Sequence, residues 1–93
     1  MTDQYYEVEV TREDEGFGFK FSGGQEDSVP IFVKYIDSDG PADRTELRED
    51  DEIVEINGVN TENMHHEEAK ELINSRGISV NLRLKRISKS VRD

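Results

Sequence analysis

Apolar side chains in this chain recur at every second position in short runs broken by Gly, Asp and Asn. A period of two is the period of a strand with one buried face. Tyr6, Val8 and Val10 alternate with Glu7 and Glu9. Phe17, Phe19 and Phe21 alternate with Gly18, Lys20 and Ser22, which puts three aromatics on one face of a second strand. Ile31, Val33 and Tyr35 alternate with Phe32, Lys34 and Ile36 in a third strand entered through Pro30. Ile53, Val54 and Ile56 give a fourth, Asn57-Gly58 a tight turn, and Val59 the start of a short fifth. Ile78, Val80, Leu82 and Leu84 alternate with Ser79, Asn81, Arg83 and Lys85 in a last long strand. The period changes only from His65 to Ser75, where Ala69, Leu72 and Ile73 follow helical spacing. Glu67 and Glu68 suit the first turn of that helix, and Gly77 stops it. Pro41 after Gly40 predicts a second, very short helix over Pro41–Thr45. Gly23–Ser28 reads as a polar, flexible loop. The fold class is therefore mainly β with two helices (α+β).

Composition decides whether such strands can hold together. Charged residues are 37% of the 93, yet Leu, Ile, Val and Phe number 23, enough for one small core. A single domain over 1–93 follows, with its core at about 5–86, a frayed tail at 87–93 and modest stability. The net charge of −10 argues against nucleic acid and against anionic membrane surfaces as partners. No apolar run approaches the ~18 residues of a membrane span, so no direct membrane insertion is expected. No signal-peptide pattern opens the chain. Without cysteine there is no disulfide, no thiolate zinc site and no thiol nucleophile. These features fit a cytoplasmic, monomeric module.

Motifs for catalysis or metal binding fail on inspection. Asp37-Ser38-Asp39-Gly40 starts like a calcium loop, but its Gly comes at the fourth position and Arg48 stands where a closing Glu is needed. Glu49-Asp50-Asp51-Glu52 reads as a solvated turn. Gly16-Phe17-Gly18 lacks the third glycine of a dinucleotide loop, and Gly23-Gly24 lacks the Lys of a phosphate loop. His65 and His66 are adjacent and diverge by ~100° on a helix, so they cannot share a metal. No Ser sits in a nucleophile elbow. No enzymatic activity, cofactor or metal is expected.

One feature stands apart. Gly16-Phe17-Gly18-Phe19 joins an acidic turn to the aromatic strand. Gly16 permits positive φ, so consecutive N–H groups can turn into one concavity, a nest suited to a carboxylate. Gly18 would let another chain approach, with Phe17, Phe19 and Phe21 walling an apolar pocket. From spacing alone, a core strand after an ordinary turn is an equal reading.

At this motif the sequence resembles a PDZ domain, and the resemblance runs from about Tyr5 to Arg86. Gly16-Phe17-Gly18-Phe19 is similar to the family's Gly-Leu-Gly-Phe carboxylate-binding loop. Gly40-Pro41-Ala42-Asp43 is similar to its first-helix signature. Glu46-Leu47-Arg48, Asp51-Glu52-Ile53 and Val54–Val59 resemble the segment through the fourth strand, and His66-Glu67-Glu68-Ala69 the start of the second helix. The resemblance implies a partly open sandwich of five or six strands capped by two helices. A partner's C-terminal tail would add as an antiparallel strand between the second strand and second helix. Partners implied are C-terminal peptides of receptors, channels or signalling proteins, gathered by a scaffold at membrane-associated complexes. The alternative is pairing with another PDZ domain or an internal motif along the same edge.

The roles implied follow residue by residue. N–H groups of Phe17, Gly18 and Phe19, shaped by Gly16, would hold the terminal carboxylate, and Arg12 would help to neutralise it. Phe17, Phe19, Phe21 and Ile73 would line the pocket for an aliphatic last side chain. His66, first in the second helix, would bond a Ser or Thr hydroxyl two residues earlier, the class I pattern; without the resemblance it is an exposed helix cap. Lys20, Ser22, Lys34 and Lys70 would set specificity. Lys20, Lys34, Lys70 and Arg12 would favour acidic residues next to that Ser/Thr, and Glu26 and Asp27 basic residues further upstream. The chain departs from the family pattern in four places. His65 replaces the usual Ser/Thr cap, for which Asn63 is an alternative. The Arg44-Thr45-Glu46 segment is one residue short. Asp50 stands where Gly is usual, and Phe17 replaces Leu.

Overall fold

The computed structural model describes residues 3–86. Its strands are Gln4–Thr11 (β1), Phe19–Gly24 (β2), Val29–Ile36 (β3), Glu52–Ile56 (β4), Val59–Asn60 (β5) and Ser79–Arg86 (β6), with one α-helix, His66–Ile73 (α1). All pairings are antiparallel, and the order β1-β6-β4-β3-β2 leaves β1 and β2 as the two edges, with β5 attached to β4. This is the partly open, mainly-β architecture expected. The predicted tail at 87–93 lies outside the described residues.

Period-two burial holds where strands are regular. In β6, Val80, Leu82 and Leu84 are buried against Val10 of β1 and Ile53 and Ile56 of β4. Ile78 lies outside the strand and is 71% exposed, contrary to its predicted place in the alternation. Register shifts break the period at three places, one of them between Ser22 and Gly24 at the end of β2. In β4 the register jumps between Ile53 and Glu55, so Val54 is the extra residue and both Ile53 and Ile56 face inward. In β3, Lys20 opposes Tyr35 while Phe21 opposes Val33, leaving Lys34 as the extra residue. The faces exchange there: Tyr35 is exposed and Ile36 packs on the core. The Asn57-Gly58 turn has positive φ at both residues (50° and 85°), as its hairpin geometry demands.

The short helix predicted over Pro41–Thr45 is instead a single 3-10 turn, Ala42–Arg44. Thr45 is extended, and both its N–H (3.0 Å) and its hydroxyl (2.7 Å) donate to the Ala42 carbonyl, which ends the turn. The predicted flexible loop at Gly23–Ser28 is also structured. Gly23 and Gly24 belong to β2, and Gln25–Asp27 forms another 3-10 turn. The main helix is shorter than the predicted His65–Ser75. His65 is its extended N-cap, with its N–H donating to the Glu68 carboxylate (2.8 Å), so His66 is the first helical residue.

Asp51 does not belong to a solvated turn. It is 3% exposed and receives a two-pronged contact from Arg86, Nε to Oδ1 at 2.9 Å and Nη2 to Oδ2 at 2.8 Å. The Tyr6 hydroxyl and the Arg48 N–H (3.2 Å) also donate to Asp51. Arg86 lies over the Tyr6 ring, 4.6 Å from its centroid, and donates to the Glu46 carbonyl at 2.9 Å. The cluster ties the start of β1 and the end of β6 to the turn before β4. Burial pushes the Asp51 carboxyl up, but bonds from Arg86 and Tyr6 outweigh it and hold it below the ordinary carboxylate range. Burial, then the hydrogen bond to Asp51 and its charge, pushes the Tyr6 hydroxyl up.

Candidate functional site

The edge of β2 has its phase set by one bond. Asp37 N–H donates to the Gly18 carbonyl at 2.9 Å, so Gly18 faces the β3 side. By alternation Lys20 and Ser22 do the same, and Phe19, Phe21 and Gly23 direct their N–H and C=O groups to the open edge. Helix α1 lies across that edge. The His66 ring stacks on Phe21, centroids 4.4 Å apart and planes 26° apart. Between β2 and α1 runs a groove.

At one end the groove is closed by the glycine loop. Glu13 and Gly16 exchange backbone bonds of 3.0 and 2.8 Å, which uses the Gly16 N–H. Three consecutive carbonyls point outward and are bonded: Gly16 to Glu13 N–H, Phe17 to Ala42 N–H (3.1 Å) and Gly18 to Asp37 N–H. Each planar peptide carries its N–H opposite its C=O, so the N–H groups of Phe17, Gly18 and Phe19 turn inward together. Gly16 (φ 103°) and Gly18 (φ 81°) make this turn possible. A Cβ on Gly18 would also lie 2.9 Å from Pro41 Cδ. Arg12 stands beside the loop, its guanidinium 5.7 Å from the Phe17 centroid and bonded to Asn74 Oδ1 at 3.2 Å. This arrangement can receive one anionic group in a cradle of N–H donors.

The walls next to the cradle are apolar. Phe19 and Phe21 are half-buried, and Phe17 (7% exposed) and Ile73 (5%) belong to the core. Phe17 precedes β2, so the three aromatics are not one strand face as predicted; they meet because the glycine loop folds Phe17 inward.

At the other end, His66 Nδ1 lies 3.0 Å from the Gly23 carbonyl. A carbonyl only accepts, so Nδ1 is the donor here, and in the neutral form of the ring Nε2 is then the acceptor. His66 N–H donates to the Glu26 carboxylate (3.0 and 3.3 Å), and Gln25 N–H to the Met64 carbonyl (2.9 Å). Bonds from its own N–H and from that of His66 hold the Glu26 carboxyl below its usual range.

Arg12, Lys20, His66 and Lys70 line the groove together. Lys34 is exposed at the β3 bulge and does not line it; Ser22 is half-buried, paired with Phe32. Glu15, Asp37 and Asn74 also line it, and sequence reasoning missed all three. Only Asn74 had a readable signal, its place one turn past Lys70 on the helix face. Among the described residues, no cluster of three or more His, Cys, Asp or Glu could hold a metal, and no helix is long and apolar enough to cross a membrane.

Comparison with known proteins agrees with this geometry. The PDZ domain family model matches residues 7–85. The chain is 41% identical over 76 residues to Protein lin-7 homolog B of Mus musculus and of Rattus norvegicus, covering 81% of this chain. It spans 37% of the length of those relatives. A solved PDZ domain from choanoflagellate SHANK1, bound to a GIRK3 peptide, superposes with a TM-score of 0.85 at 30% identity, covering 95% of this chain and 98% of that one. With a family model matched over most of its length, and the glycine loop, open edge and facing helix in place, this chain belongs to the PDZ domain family.

Proposed function

We propose that this chain is a protein-interaction module that binds the C-terminal tails of partner proteins by strand addition to β2. The observation that carries this reading is the set of three inward N–H groups at the end of an unpaired strand edge. A tail laid antiparallel on Phe19 and Phe21 would bring its carboxylate into that cradle, near Arg12, and its last side chain among Phe17, Phe19, Phe21 and Ile73. Its next-but-one residue would face His66, whose Nε2 accepts a Ser or Thr hydroxyl. Lys20 and Lys70 favour an acidic neighbour there, offset by Glu15 and Asp37 in the same groove. A scaffold protein that gathers membrane-associated partners in the cytoplasm is the setting this reading fits; the SHANK1 PDZ domain bound to a GIRK3 peptide supports the peptide recognition itself.

The test is a titration with a peptide ending in Glu-Thr-x-Val in three forms. Amidating the C-terminus and phosphorylating the Thr should each weaken binding by about tenfold or more. Undiminished binding of the amidated form would replace tail recognition with pairing to an internal motif or another PDZ domain. Equal binding of the phosphorylated form would remove His66 from the hydroxyl contact.

A further inference from the structure

The groove is open at β2 for only a short length. Of the residues facing the edge, Phe19 offers its C=O, its N–H belonging to the cradle, and Phe21 offers both groups, but the Gly23 carbonyl already accepts from His66 Nδ1 at 3.0 Å. The end of β2 bends there: Gly23 and Gly24, its last two residues, have positive φ of 97° and 146°. The following turn is fastened to the helix start by Gln25 N–H on the Met64 carbonyl and by the Glu26 carboxylate on His66 N–H. The approach is tight, since a Cβ on Gly24 would lie 2.7 Å from His66 N.

Resting on the tail-binding reading above, we propose that this latch is a specificity device: it restricts strand pairing to about the last four ligand residues, and Glu26 is its positioning residue. An antiparallel tail places its last residue opposite Phe19 and its third from last opposite Phe21. The fifth from last would fall opposite Gly23, where the carbonyl must be shared with His66 and the positive φ of Gly23 and Gly24 carries the edge out of strand register. One ring therefore does two things. Its Nδ1 closes the edge, and the same bond leaves Nε2 free to accept the ligand hydroxyl. Upstream residues meet the latch and add little main-chain bonding, so sequence far from the ligand terminus is poorly read.

The experiment compares an N-acetylated tetrapeptide with an octapeptide of the same C-terminus, against the native chain and Glu26→Ala. The native chain should bind the two lengths within about threefold of each other, less than further ladder bonds would give. Glu26→Ala should favour the octapeptide by a larger factor than the native chain does. A general loss of stability would move both affinities equally and leave their ratio unchanged. A native ratio above about threefold, or a ratio unaltered by Glu26→Ala, overturns the latch. Binding of neither peptide removes the tail-binding reading and the window with it.

Discussion

Replacing Arg86 by Met should cost this domain far more than a surface charge usually does. Four bonds disappear: two to Asp51 (2.9 and 2.8 Å), one to the Tyr6 hydroxyl (2.6 Å) and one to the Glu46 carbonyl (2.9 Å). The carboxylate left behind is 3% exposed and keeps only Tyr6 and Arg48 N–H as donors. Breaking a buried pair costs about 3–5 kcal/mol, mostly from the stranded charge. The Arg86 side chain is 26% exposed, so the pair touches water at one end and about 3 kcal/mol is the appropriate figure. Against a total of about 5–14 kcal/mol for 93 residues, that is a large share. Urea denaturation followed by circular dichroism reads it directly, since the chain has no Trp. The pH dependence supplies a second signature. Asp51 is held below its unfolded-state value, so it adds stability above about pH 5 that is lost as pH falls through the folded-state value. Without Arg86 that contribution shrinks, so the two stability curves draw together as pH falls below the ordinary carboxylate range. A loss under about 1 kcal/mol at neutral pH, or a constant gap between the curves, would refute the reasoning.

Two further substitutions test the backbone. Gly18→Ala forces a side chain into φ 81° and against Pro41, so it should cost about 1–3 kcal/mol in a denaturant titration and weaken binding of a free-carboxylate peptide more than of its amide. Asp50→Gly relieves φ 75° where the family usually has Gly, and should stabilise by about 0.5 kcal/mol, read as a higher urea midpoint without change in peptide affinity.

What could be read in the sequence was whatever depends on local period and turn chemistry. β1, β6, the Asn57-Gly58 turn and the amphipathic helix all follow from residues within a few positions of each other. Asp50 also announced its positive φ through its place in the pattern. The bulges at Lys34 and Val54 are not legible, because an extra residue shows only when two strands are laid in register; the period of two therefore points Tyr35 inward and Ile36 outward, the reverse of what is found. The Tyr6–Asp51–Arg86 cluster joins residues 35 to 80 positions apart, so Asp51 looked like one more exposed acid in an acidic run. For the candidate site, Gly16-Phe17-Gly18-Phe19 and His66 were visible as a motif. The latch was not, because Gly23-Gly24 looks like slack until His66, Met64 and Glu26 are seen to take up its bonds.

Asn57 has a consequence beyond its turn. Its side-chain amide donates to the Leu72 carbonyl (3.0 Å), and its side-chain oxygen accepts from Asn81 N–H (2.9 Å). It thus staples the last turn of α1 to the sheet, while Glu26 holds the first. An isolated helix of eight residues would fray from both ends. This one is anchored like a beam on two supports, and its bonded amide protons, from Ala69 to Asn74, should exchange slowly up to the C-terminal end. The width between β2 and α1 is then set before any ligand arrives, and a tail that does not fit meets a wall that will not yield.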